Sequence, residues 1–238
     1  MIPAKTLVYA FNLQYDRIDN DLKSNLRLED KLFYINKAVQ LYFKKLLKYA
    51  EVNSEVRSSL RKLEKKEVEL TISSKGKIYD IAIIPDDCIK ILRQRALVNK
   101  TKCGKKEIPL LMVATDDLNL SRKNPFWASS YEWEHCICDE GDGGLYAYHE
   151  GSFRVEKVIV DYYRKPKEVH AASMHENKKY IDWYGKLIES DSDLELDVNF
   201  DYQDIINIAI LMAKSDAGDA GDFEIQLSKI LNLDKLNL

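Results

Sequence analysis

The chain has 238 residues, 45% of them apolar and 32% charged, and its 36 basic side chains nearly cancel its 39 acidic ones. That length and apolar share support a buried core in one large domain or two small ones and exclude a disordered chain. The charge balance leaves bulk electrostatics with no preference for nucleic acid or membrane, so any electrostatic argument has to be local.

No window holds the roughly 18 uninterrupted apolar residues of a membrane span, and MIPAKTLVYAFNLQYD at the start lacks the order of a signal peptide. Synthesis in a cytoplasm is therefore expected, with no membrane partner. Cys88, Cys103, Cys136 and Cys138 are too few and too irregularly spaced for a disulfide framework, and reduced, mostly buried thiols are expected.

In chain order, Leu7, Ala10, Phe11 and Tyr15 sit at helical spacing between Thr6 and about Asp21. Leu32, Ile35, Val39, Tyr42 and Leu46 line one face of a long helix over 28–50. Asn53 or Ser54 can cap a third helix through about Lys66, carrying Val56, Leu60 and Leu63. The period changes after Glu67. VELTIS and KIYDIAII flank Ser74-Lys75-Gly76 and predict a hairpin. Pro85-Asp86-Asp87 opens a helical turn, Asp116-Asp117-Leu118 a short helix, and strands are expected at about 91–99, 107–114, 131–138, 144–149 and 153–163.

Short strands with turns between them favour an antiparallel sandwich or barrel-like meander. After VIVDYYRKPKEV the residues have no clear period until DYQDIINIAILMA, 201–213, resumes a helix that Asp201 and Asp204 suit at its start. A last helix bearing Phe223, Leu227, Ile230 and Leu231 is expected after SDAGDAGD. The fold class is thus α+β: an N-terminal helical region (1–66), an antiparallel β domain (67–165), an extended polar arm (166–200) and C-terminal helices (201–238).

Chemistry-bearing motifs are sparse. His135, Cys136 and Cys138 lack the second ligand pair of a zinc site, and on a strand the two cysteines share one face, as core residues do. DEGDGGLYAYHE places Asp139, Gly144 and Glu150 like a calcium loop but has Gly141 and Gly143 where ligands belong, so a hairpin turn explains it better. The acids Asp191, Asp193, Glu195 and Asp197 lack the turn glycine of such a loop. There is no G-x-S-x-G, phosphate-cradling glycine loop or H-E-x-x-H. No enzyme and no cofactor are expected.

The informative asymmetry is local charge. Seven Lys or Arg and no acid lie between Cys88 and Lys106; seven acids and no base lie between Glu189 and Asp204. The basic ribbon could track nucleic-acid phosphates, could be a solvated loop, or could receive the acidic arm of a neighbouring copy, which is the favoured reading. The expected interface residues are Lys90, Arg93, Arg95, Lys100 and Lys102 on the ribbon, Tyr162, Tyr163 and Arg164 at the arm's exit, and Asp191, Asp193 and Asp197 on the arm.

Several stretches, in order YINKAVQLYFKKL, IPDDCIKIL, ATDDLNLSRKNPFWASSYEW, IVDYYRKPKEV and DYQDIINIAILMA, resemble structural proteins of tailed bacteriophages. They are most similar to the ring or tail-adaptor proteins in the neck of short-tailed, crAss-like phages. The resemblance implies a ring subunit, twelvefold where it follows the portal, sitting in the virion between head and tail around a DNA-conducting lumen. Its implied partners are copies of itself, the portal and other neck or tail rings, and it carries no catalytic residues to transfer. The alternative is a nucleic-acid-binding module using the 88–106 ribbon.

Overall fold

A computed structural model of the chain describes residues 1–18, 26–101, 103–142, 144–196 and 202–216. The chain forms two units: residues 63–165 make one, and the residues on both sides of that insertion, 1–62 and 166–238, make the other. The last helix expected from the sequence lies outside the described residues, as do Lys102 and Asp197.

The first unit is built on α1 (Ala4–Ile18), α2 (Leu28–Tyr49) and α5 (Tyr202–Asp216), which pack on one another. Leu7 and Phe11, then Ile35, Val39 and Phe43, then Ile205, Ile208 and Ala209 supply apolar faces at helical spacing, and all are buried. The sequence expectation for a long third helix meets a change of direction. Asn53 Oδ1 accepts the Glu55 amide at 2.8 Å to start α3 (Ser54–Ser59), but a strand begins at Glu64. Pairing of that segment with a partner strand outweighs the good helix formers Glu and Lys within it.

Residues 166–196, expected to extend toward another subunit, lie along their own chain. Val169 exchanges two hydrogen bonds with the Asn36 side chain on α2, at 2.8 and 3.1 Å. Leu194 pairs antiparallel with Ile2, and His170 with Ser192. Between those bridges the chain forms a small hairpin, whose strands are Tyr180–Ile181 and Leu187–Ile188. Val169, Ala171, Ala172, Tyr180, Ile188, Leu194 and Leu196 are buried. The polar composition that suggested a free arm is spent on backbone amides, and apolar anchors hold the segment at its two ends and at the hairpin.

The second unit is an eight-stranded sheet: β1 (Glu64–Leu70), β2 (Ile72–Lys75), β3 (Tyr79–Ile83), β4 (Cys88–Lys100), β5 (Gly104–Met112), β6 (Cys136–Gly141), β7 (Gly144–Tyr148) and β8 (Arg154–Arg164). The order is β1-β8-β4-β5-β6-β7-β3-β2. Only Thr71 separates β1 from β2, so the two outermost strands are one bent segment and the sheet curls back on itself. A backbone bond from Val155 on β8 to the Asp80 carboxyl on β3 spans the curl at 3.2 Å. Ala96, Val98, Ile108, Leu145, Val158 and Val160 fill the interior.

The sheet is antiparallel except where Leu110–Met112 run parallel to Cys136–Cys138. A parallel pair needs a crossover, and residues 113–135 provide it. That requirement replaces the strand expected at 131–135 with turns, and β6 begins only at Cys136. Pro109 sits on the part of β5 that pairs with β4 alone, where its missing N–H costs no ladder bond to β6.

Candidate interaction surface

The crossover carries α4 (Leu118–Lys123) and then a loop rich in aromatic residues. Two of its side chains serve the fold. Leu118 packs with Ile137 and Tyr148, and Tyr131 enters the core while its hydroxyl donates to the carbonyls of Cys103 and Gly104. Lys106 lies over the Tyr131 ring at 4.0 Å. The remaining large apolar side chains turn outward, from 60% exposed at Trp133 through Trp127 and Phe126 to 71% at Leu120.

Their loop is strapped by polar bonds. Asn124 Oδ1 accepts the Phe126 amide at 3.0 Å, and the Ser129 hydroxyl accepts the Ile137 amide at 2.8 Å. Ser130 and His135 exchange backbone bonds at 3.0 and 3.2 Å, and the His135 ring nitrogens face the carbonyls of Trp127 and Trp133. The Phe126 and Trp133 rings stand 6.1 Å apart. Beside them Met112, Val113, Leu120 and Trp127 line an open groove of about 390 Å³, with Asp117 and Asn124 at its polar edge. A fixed, outward aromatic surface of this kind is the physical signature of a binding hot spot, because the ordering cost is met before a partner arrives.

The ribbon and arm residues are placed differently from the sequence expectation. Arg95 pairs with Glu67 and with Glu107, both at 2.8 Å; Lys100 with Glu132; Lys105 with Glu156 at 2.6 Å; and Lys106 with Glu134 at 3.2 Å. The ribbon is therefore answered by acids of neighbouring strands and of the crossover. Arg93 is exposed and carries no ion pair among the described residues, while Lys90 is half-buried.

On the other side of the supposed contact, Asp191 accepts the Ser173 amide at 2.8 Å and the Ser173 hydroxyl, and Asp193 accepts the Ala4 amide at 3.0 Å. Burial works against the Asp191 carboxylate, yet the Ser173 bonds hold it below its ordinary range. These acids hold their own backbone.

Tyr162 and Tyr163 are buried, and Arg164 donates to the Lys165 carbonyl. The Tyr162 hydroxyl donates to Asp87 at 2.8 Å, and Lys65 meets the same carboxylate at 2.7 Å. Lys65 first, with Tyr162 adding to it against partial burial, holds Asp87 below the usual carboxylate range. Tyr162→Phe should therefore cost about 1.5 kcal/mol, the loss of a hydrogen bond to a charged acceptor. A urea midpoint unchanged from wild type would show that the hydroxyl contributes nothing.

Cys136 and Cys138 point into the sheet's interior as free thiols, and burial pushes each up to about 12. Such thiols are unreactive at neutral pH. Among the described residues no group of three or more His, Cys, Asp or Glu side chains could hold a metal ion, and no helix is long and apolar enough to cross a membrane.

Sequence reasoning missed two features. The outward aromatic surface was visible only as NPFWASSYEW, where inward Tyr131 and outward Trp133 look alike. The other is a fully buried pair, Asp80 on β3 and His149 after β7, whose Oδ2 and Nε2 lie 3.5 Å apart. His149 Nδ1 accepts the Gly151 amide at 2.9 Å, while Asp80 Oδ1 and His149 Nε2 have no hydrogen-bond partner.

No protein-family profile matches the sequence, and no curated protein matches it.

Proposed function

We propose that the chain is a virion structural protein, a ring or adaptor subunit in the neck of a short-tailed phage that joins the portal and head to the tail around a DNA-conducting lumen. The observation that carries the reading is the strapped aromatic crossover, Leu120 with Phe126, Trp127 and Trp133, outward-facing on the β unit. It is a surface for protein. The motif resemblance supplies the place in the virion and the twelvefold count. Native mass spectrometry of the purified chain, alone and mixed with portal, with electron microscopy of any large species, tests it. Closed rings in either sample are expected; a chain that stays monomeric in both overturns the reading.

Weighing against the nucleic-acid alternative is the pairing of Arg95, Lys100, Lys105 and Lys106 with carboxylates, which lowers the ribbon's net positive charge. Those cations can neutralise phosphates only by giving up their partners. Duplex DNA binding by the purified chain at physiological salt should be weaker than about 10⁻⁴ M, the weak end of sequence-independent binding. Tighter binding that falls steeply with added salt would reinstate the ribbon as a phosphate track.

A further inference from the structure

A cleft in the helical unit lies between α2 and the hairpin of residues 180–188. The helix contributes Phe33, Lys37 and Gln40, which share one face at helical spacing, and the hairpin contributes Asp182, Trp183 and Tyr184. Trp183 is 57% exposed and Tyr184 72% exposed.

These aromatic side chains are held in place. Trp183 stacks on Phe33 with ring centroids 4.7 Å apart and donates to Asp30 at 3.2 Å, and Lys37 lies over the Phe33 ring at 4.3 Å. Phe33 covers one indole face, so the exposure of Trp183 falls on the other face and on the ring edges. Beneath Tyr184, Asp182 Oδ1 accepts the amides of Tyr184 at 2.9 Å and Lys186 at 2.8 Å, and Gly185 supplies the positive φ of 80° that the turn requires. An aromatic surface fixed in this way adds little ordering cost to binding.

Hydrogen-bonding groups stand unused beside it. The Gln40 amide and the Lys37 ammonium carry no hydrogen bond or ion pair among the described residues, so donors and an acceptor face the opening together. Charges of both signs surround it, Lys37 and Lys186 against Glu29, Asp30 and Asp182, and neither sign holds the opening alone. The enclosed part of the cleft measures only about 20 Å³, room for a water molecule.

We propose that the cleft binds a neutral saccharide, with its apolar C–H face on Trp183 and Tyr184 and its hydroxyls on Lys37, Gln40 and Asp182. A ligand that must be engulfed has no cavity to enter, whereas a flat one lies across the mouth. A sugar ring offers an apolar face for an aromatic ring to cover, and its hydroxyls donate and accept, as a rim of mixed polar groups requires. A nucleotide would bring phosphate against Glu29 and Asp182, and a cationic side chain would meet Lys37. Such a site needs no assembly and stands whether or not the chain forms rings.

Saturation-transfer NMR on the full chain tests it, with glucose, galactose, mannose, N-acetylglucosamine, maltose, lactose and chitobiose as probes and glutamate and arginine as charged controls. At least one sugar should bind with a Kd on the order of 1 mM, the reach of a small ligand on an open site, with transfer strongest at its ring C–H protons. Tyr184→Ala and Gln40→Leu alter side chains outside the core and should keep the wild-type circular dichroism, and each should weaken binding by about tenfold or more. Trp127→Ala removes an exposed aromatic ring from the crossover instead and should leave binding unchanged. Transfer to none of the sugars, transfer that survives both cleft substitutions, equal transfer to the charged controls, or a loss as large in Trp127→Ala as in Tyr184→Ala overturns the site.

Discussion

Asp80→Ala is expected to destabilise the β unit by about 1–3 kcal/mol at neutral pH, the cost of one orphaned buried donor, and Asp80→Asn by much less. The buried Asp80 carboxyl is the acceptor of the Val155 amide that bridges the curl between β3 and β8, and it faces His149 Nε2. Alanine leaves the Val155 donor with nothing to bond in a site that excludes water, at about 1–3 kcal/mol for a buried donor. Asparagine keeps an oxygen in place for it. Equal urea midpoints for the wild type and the alanine variant would show that the amide finds another acceptor and that the pair is dispensable.

The same site makes acid stability a second readout of Asp80. Burial holds the His149 imidazole below its ordinary affinity for a proton; Asp80 opposes that and Arg154 reinforces it. In the folded chain Nδ1 is already occupied by the Gly151 N–H, so a second ring proton would have to displace it. The unfolded chain takes up its proton near pH 6.5. Stability contributed by neutral His149 is therefore complete above that pH and is lost as pH falls below it toward the lower folded value, with a slope of at most about 1.4 kcal/mol per pH unit. Asp80→Asn removes the attraction that partly restores proton affinity, so the loss should continue to lower pH in that variant. Identical pH profiles followed down until the wild-type loss levels off would contradict this account of the pair.

How far the sequence reveals the fold depends on which forces are local. The faces of α1, α2 and α5 follow from apolar spacing, and the hairpin at Ser74–Gly76 from turn chemistry, because both are decided within a few residues. The counted charge blocks hide their partners within the chain for the opposite reason. Arg95 is answered by Glu67 and Glu107, which are distant along the chain and adjacent across the sheet, and no window of sequence places them together. The crossover shows the same limit: the parallel pairing of β5 and β6 decides that Tyr131 points in and Trp127 out, and that pairing is a property of topology. The arm shows it most clearly, since Asp191 and Asp193 read as an acidic surface for a neighbouring copy until the amides of Ser173 and Ala4 are seen against them.

That last contrast can be measured. Leu194 is fully buried, and its backbone exchanges bonds with Ile2 at 3.0 and 3.1 Å, next to Asp193 on the Ala4 amide. Leu194→Ala should lower the stability of the helical unit by about 2–5 kcal/mol, the usual cost of truncating a buried leucine. Because residue 194 docks on its own chain, the loss should be independent of protein concentration; an arm shared between copies would give a midpoint that rises with concentration by mass action. The chain has three tryptophans, and Trp127→Phe with Trp133→Phe leaves Trp183, stacked on Phe33, as the sole fluorescent reporter of this unit. Urea titrations in that background at two concentrations a hundredfold apart separate the cases. A shift between Leu194→Ala and its parent that is the same at both concentrations places the segment on its own helices; a shift that changes with concentration gives it to a neighbour and returns the arm to the assembly.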